Sequence, residues 1–372
     1  MKQLVTALLV FVALASIGQR LNSEKKVLMV VSSYGKDQGQ TRPGYEFDEF
    51  SQAYLIFKDN GLTVDLASPR GGKVEPDQYN KEKVYNQRLL ADEYALSLLE
   101  ETIPTSRINS ENYDAIFVVG GKGAMFDLPY DPSLQDIILE MYERPNTIIA
   151  SVCHGPAVFA NVKSGDKFIV KDVEMTGFTN EEEALFGKKW VSEFPFSLED
   201  QLVLRGAKFT KANFMLPNVS VSGSFVTGQN PFSTARSAEE VVRALGLTPK
   251  EHIQYPDEHT VYAIKSFLNE ELSLKAFNKK LKQDTSAFDI PLLAIYGYYH
   301  IMANEGANEK LRQGIQLVEL SAPYFFNENL QIMVAQTYIA IEEKSKAKKV
   351  LNDLIARDKL TEQAEEMLIQ ID

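Results

Sequence analysis

Apolar and polar residues along the chain follow two regimes that change over near residue 250. Residues 25–33 (KKVLMVVSS) put a basic start before a continuous apolar run, the pattern of a parallel strand covered on both faces. After Pro43-Gly44, residues 45–57 carry apolar side chains at helical spacing and stop at Asn60-Gly61, which predicts a helix closed by glycine. Residues 62–67 predict a second strand, and this strand, helix, strand order implies right-handed parallel crossovers. Residues 113–121 form another buried strand running into a glycine-rich loop. Residues 147–152 form a short β-branched run that Gly155 and Pro156 stop. Short strand candidates follow at 168–170, 173–176 and 208–209, with a pair of short strands within 220–228. A helix over 233–245 closes at Gly246, with Pro249 beyond it, and marks a domain boundary.

From Pro256 onward the glycine-punctuated strands vanish and helical spacing takes over, predicting helices at 289–303, 308–320, 329–341 and 345–355. Val334-Ala335-Gln336-Thr337-Tyr338-Ile339 followed by Ala347-Lys348-Lys349-Val350-Leu351 has the small and aromatic pattern of a tetratricopeptide helix pair, repeated loosely around Tyr296-Gly297-Tyr298-Tyr299. A plain helical bundle fits the same pattern. The expected architecture is an α/β domain, a flavodoxin-like parallel sheet sandwiched by helices over residues 23–248, followed by an all-α helical region over 256–372.

Composition changes this picture little: 44% hydrophobic and 24% charged residues are ordinary for a globular chain. A net charge of −12 argues against nucleic acid or an anionic membrane as the main partner. Lys344, Lys346, Lys348 and Lys349 read as a solvated helix face beside Glu342, Glu343 and Asp353. Lys2, the apolar run 4–14 and Ala13-Leu14-Ala15 read as an export signal with a short leader over 1–22, so a periplasmic or secreted location is expected, without membrane insertion after cleavage.

The chemistry gathers at Cys153, the single cysteine of the chain, which follows the central strand at a strand-to-helix elbow and precedes His154. Such an elbow projects a nucleophile from the sheet's carboxyl edge, and the following helix N-terminus favours thiolate. A buried, inert cysteine is the plain alternative. Gly120-Gly121-Lys122-Gly123 at another strand end lets backbone N–H groups approach a ligand, although its spacing matches neither a dinucleotide fingerprint nor a phosphate loop. His252, His259 and His300 have no metal-like spacing, so neither metal nor other cofactor is expected.

Five pieces in order carry a resemblance: Val119-Gly120-Gly121-Lys122-Gly123 with Phe126-Asp127-Leu128-Pro129, Val152-Cys153-His154-Gly155-Pro156, residues 176–183 (TGFTNEEE), residues 195–200 (PFSLED), and Val226-Thr227-Gly228-Gln229-Asn230-Pro231. On these residues, 25–246 resemble the ThiJ/PfpI superfamily, with its class I glutamine-amidotransferase-like fold, and within it the branch of heat-shock-type chaperones and glutathione-independent glyoxalases (glyoxalase III). The resemblance implies Cys153 as nucleophile, His154 beside it, Glu183 as the acid of the triad, Glu49 as the glutamate that hydrogen-bonds the cysteine, and Gly120, Gly121 and Gly155 as substrate or oxyanion positions. Lys122 stands where that branch commonly has histidine, which alters the electrostatics of the pocket mouth. The implied reaction is conversion of a small reactive aldehyde such as methylglyoxal to lactate, or a related deglycation, of hydro-lyase type and without glutathione. Cysteine peptidase or amidase chemistry on the same triad is the alternative, and a chaperone or protein-binding role of the helical region is a reading of another class. Superfamily members often dimerise, so a homodimer is also implied. A neutral Glu49 and a thiol pKa below the usual value of about 8.5 are expected at Cys153.

Overall fold

A computed structural model describes residues 25–371 apart from Lys188 and Ile253; the proposed export signal lies outside the described residues. The chain divides into two compact units, Met1–His252 and Ile253–Asp372.

The first unit is built on a seven-stranded sheet. Its strands are β1 (Lys26–Val30), β2 (Thr63–Ser68), β3 (Ile103–Pro104), β4 (Ala115–Val118), β5 (Ile148–Val152), β10 (Val219–Ser222) and β11 (Phe225–Gly228), in the order β10-β11-β5-β4-β1-β2-β3. All neighbours run parallel except β10, which pairs antiparallel with β11. The central strands are buried from end to end, as their unbroken apolar runs require. Four further strands make two small pairs outside this sheet: β6 (Lys163–Ser164) with β7 (Lys167–Phe168), and β8 (Glu174–Met175) with β9 (Lys208–Phe209). The expected strand over 168–170 is thus a two-residue stub ending at Phe168.

The flanking helices are α1 (Phe47–Asp59), α2 (Val84–Leu90), α3 (Glu93–Glu100), α4 (Pro132–Glu143), α5 (Asn180–Phe186), α6 (Leu198–Leu204) and α7 (Thr234–Ala244). Helix α1 is buried from Phe47 to Phe57 and ends at Asn60-Gly61, where Gly61 takes φ +76°. Asp48 in its first turn anchors α2, accepting from Tyr85 Oη at 3.1 Å and Asn86 Nδ2 at 2.6 Å. At the carboxyl edge, Asp127 accepts from Ser32 Oγ at 2.8 Å and from the Ser33 N–H at 2.7 Å, which ties the loop after β1 to the loop after β4.

One local expectation fails where it matters. The segment after Cys153 is a 3-10 run, Gly155–Asn161, with no α-helix behind it. Pro156 suits the first turn of either helix type, but Gly155 is pressed against β4, where a Cβ would stand 2.4 Å from the Val118 carbonyl oxygen.

The second unit is all helical: α8 (Pro256–Leu268), α9 (Leu274–Gln283), α10 (Ile290–Ala303), α11 (Asn308–Ser321), α12 (Glu328–Ala340), α13 (Lys344–Ala356) and α14 (Thr361–Ile371). Helices α10 and α11 pack closely because Gly297 and Gly314 face each other: a Cβ on Gly297 would lie 2.9 Å from the Gly314 carbonyl oxygen. Ile315, Val334, Ala335, Leu351 and Ala364 join α11 to α14 in one apolar core. No helix among the described residues is long and apolar enough to cross a membrane.

Candidate active site

Cys153 occupies the turn directly after β5 with φ +59°, a left-handed conformation that a side chain adopts only where its surroundings enforce it. They do so from both ends. The Cys153 N–H donates to Gly228 O on β11 at 2.9 Å, and its carbonyl accepts from the Phe178 N–H at 2.8 Å. The thiol is thereby aimed at the carboxyl edge of the sheet, against the Gly120-Gly121 loop.

His154 brings Nδ1 within 3.3 Å of Cys153 Sγ, and its Nε2 lies 2.5 Å from Glu183 Oε1. With Glu183 as acceptor, Nε2 carries the proton and Nδ1 presents its lone pair to the thiol. The imidazole is held between rings: Phe178 stacks on it at 4.5 Å between centroids, and Phe194 meets it edge-on at 5.8 Å. Glu183 sits in the first turns of α5, beginning at Thr179, whose hydroxyl accepts from the Glu182 N–H while Glu182 caps back. That box fixes the register of the three adjacent glutamates. Glu181 is exposed. Glu182 is buried and accepts from Met215 N–H, Gln229 Nε2 and Asn230 Nδ2, and Glu183 alone meets the histidine.

Glu49 enters from α1 and is fully buried. Its Oε2 accepts from the Gly120 N–H at 2.7 Å, its carboxyl stands close to the Cys153 sulfur, and Oε1 has no hydrogen-bond partner among the described residues. Burial, reinforced by the neighbouring Glu46 carboxyl, raises its pKa well above the usual carboxylate value and so favours the neutral acid. The thiol departs from expectation. Burial, and next the proximity of Glu49, push the Cys153 pKa up, against a smaller opposing contribution from the Gly121 N–H. The expected lowering relied on a helix behind the elbow, and a seven-residue 3-10 run supplies little dipole. The raised pKa favours the thiol at Cys153, and His154 Nδ1 stands within reach of its proton.

The glycine positions have separate tasks. The Gly120 N–H is committed to Glu49, so it is not a free oxyanion donor. Gly121, at φ +91°, directs its N–H to the sulfur, and a Cβ there would stand 2.4 Å from the Glu46 nitrogen. Gly155 serves close packing against Val118. Lys122 is half-buried and faces the carboxyls of Glu46 and Asp77. Glu46 and Asp77 escape a sequence reading because loops bring them in. The Glu46-x-x-Glu49 spacing is the one available sign of the former, since it is the N-cap to N3 spacing of a helix start. No cluster of three metal-ligating side chains exists among the described residues.

A nucleophile elbow on a doubly flanked parallel sheet, with a histidine and a glutamate in line behind it, defines a class of cysteine-centred α/β proteins. Residues 25–244 match the DJ-1/PfpI family, and the chain belongs to that family. Relatives include a glutathione-independent glyoxalase of Schizosaccharomyces pombe, 31% identical over 253 residues (59% of this chain, 98% of that protein). Glyoxalase 3 of Candida albicans is 29% identical over 235 residues, covering 59% and 98%. Among solved structures, Rapid Encystment Protein 24 kDa of Francisella tularensis superposes with a TM-score of 0.56 at 32% identity (59% of this chain, 99% of that one). Glyoxalase III of Candida albicans shares the fold at a TM-score of 0.55 and 24% identity, covering 59% and 97%. The family match ends before the helical unit begins.

Proposed function

We propose that this protein is an exported, cysteine-dependent enzyme that converts small α-oxoaldehydes such as methylglyoxal to 2-hydroxy acids without glutathione. The observation that carries the reading is the pairing of a buried thiol and a fully buried carboxyl of raised pKa, Cys153 and Glu49, beside a His154–Glu183 dyad. The relatives named as glutathione-independent glyoxalases support it.

The residues account for every proton. Cys153 sulfur bonds to the aldehyde carbon, its proton passes to His154 Nδ1, and Glu49 protonates the aldehyde oxygen to give a hemithioacetal. The Glu49 carboxylate then removes the hydrogen from that carbon while His154 protonates the neighbouring carbonyl oxygen, forming an enediol. Glu49 returns its proton to the second carbon and the first hydroxyl proton goes to His154, leaving a thioester. Water cleaves the thioester, giving its proton to Glu49 as the departing sulfur recovers one from His154; the 2-hydroxy acid leaves. Glu183 orients the imidazole and stabilises its protonated form throughout.

Purified protein incubated with methylglyoxal forms lactate on this reading, and Cys153→Ala forms none. Absence of lactate from the wild type, or equal rates in the variant, defeats it. Export rests on residues 1–22, and the N-terminal sequence of the secreted protein tests it. The paired helices α10–α11 and α12–α13 support a tetratricopeptide-like second unit suited to a protein partner, tested by binding to the expressed full chain.

A further inference from the structure

The N-terminus of α1 has the spacing of a capping box, with Glu46 at the N-cap and Glu49 three residues on. In such a box the later carboxyl ordinarily turns back to the N-cap N–H. Here the Glu46 N–H donates to Gly120 O at 3.2 Å, and Glu49 accepts from the Gly120 N–H at 2.7 Å. Gly120 therefore clamps both acidic residues through the two ends of its own peptide groups, and Glu49 is turned inward to the sulfur. The Glu46 carboxyl is near enough to act electrostatically on Glu49. Glu49 is fully buried, whereas Glu46 is partly open to solvent, and its carboxyl has no hydrogen-bond or ion-pair partner among the described residues.

We propose that Glu46 is the outer member of a two-carboxyl relay that controls the proton on Glu49 and exchanges it between the buried site and solvent. The groups facing Glu46 are Asp48 and Glu49 on its own helix, Asp77 and Lys83 from the segment after β2, and Lys122 from the glycine loop. The desolvation of this half-buried carboxyl first, then Asp48 and Asp77, outweigh the two lysines and raise its pKa to about 7. An acid of that strength gives and takes protons with little bias at physiological pH, between a Glu49 that clings to its proton and water. Glu46 is a positioning residue in this scheme, acting on substrate only through Glu49. The scheme rests on the proposed α-oxoaldehyde chemistry, and one of its two tests does not.

The first test is the pH profile of Cys153 alkylation by iodoacetamide. Removing the negative neighbour in Glu46→Gln lowers the midpoint by about half a pH unit or more, and Glu46→Asp, which keeps the charge, restores it. An unmoved midpoint in Glu46→Gln overturns the control of the site's ionisation. The second test is methylglyoxal turnover in D2O. Wild-type lactate carries deuterium at C2, and lactate from Glu46→Gln keeps a severalfold larger share of the substrate's own hydrogen. Equal deuterium in both overturns the exchange route. A wild type that makes no lactate removes the proposed function, and the alkylation profile then decides the role of Glu46 by itself.

Discussion

Gly187 presents its bare Cα to Glu183 Oε2: a Cβ built on Gly187 would stand 2.3 Å from that oxygen and 2.1 Å from Val191 Cγ2. The glycine has ordinary right-handed geometry, φ −77°, so what the site requires of it is space for the triad carboxyl, not backbone freedom. Gly187→Ala should therefore displace Glu183 from His154 and reduce turnover by about tenfold or more. The measurement is kcat for lactate formation beside a thermal melt; full turnover at unchanged stability contradicts the placement of Glu183.

Glu183→Gln should cost roughly 100- to 10,000-fold in kcat, because glutamine neither fixes the imidazole in the needed tautomer nor stabilises its protonated form. Glu181→Gln on the same turn, an exposed residue outside the site, should leave kcat unaltered. Equal losses in both would return the identity of the triad acid to an open question of register.

Glu49→Gln should abolish turnover while the fold persists, since glutamine keeps the shape of the carboxyl but cannot carry a proton. Its effect on stability has a definite sign. A carboxyl whose folded pKa is raised contributes stability that is present below the unfolded value near 4.5 and is lost as pH rises toward the folded value. The wild type should thus lose stability relative to Glu49→Gln as pH climbs from 5 to 8, at up to about 1.4 kcal/mol per pH unit. Melting curves across that range decide it, and a pH-independent difference would mean Glu49 is ionised in the folded protein.

In the helical unit, Gly297→Ala would bring a methyl 2.8 Å from Val318 Cγ2 and 2.9 Å from the Gly314 carbonyl oxygen. Overpacking at such a crossing costs about 1–3 kcal/mol. Loss of helical ellipticity in urea should move to lower concentration, and Gly306→Ala, which meets no atom within 4 Å but carries φ +79°, separates backbone strain from crowding at the crossing.

The strands were readable because buried parallel strands are nearly all apolar: Ile148–Val152 and Ala115–Val118 fall inside the predicted runs. Helices with a continuous apolar stripe, such as α1 and α11, were equally visible. Helices α2, α3, α4, α5, α6, α8, α9 and α14 were missed for one reason, a stripe that is short or interrupted. Several nonetheless carry start signals: Asp131-Pro132 opens α4, with the aspartate accepting from the Ser133 and Leu134 N–H groups, and Pro256 opens α8. The site was legible where it is contiguous or belongs to quoted motifs, as Cys153, His154 and Glu183 do, while Glu49 was reached only through the family resemblance. The raised thiol was not legible. It depends on the burial of Cys153 and on the approach of Glu49 from α1, tertiary relations that the local sequence does not carry.

Cys153 is the sole thiol of the 372-residue chain, and it lies inside the site. Any reagent that consumes thiol therefore reports on the site alone, with no background to subtract. A single mass increment on the intact protein therefore assigns the reaction to this one residue without peptide mapping. Protection of that increment by a bound ligand then measures occupancy directly, which makes the chain suited to screening compounds before any substrate has been agreed.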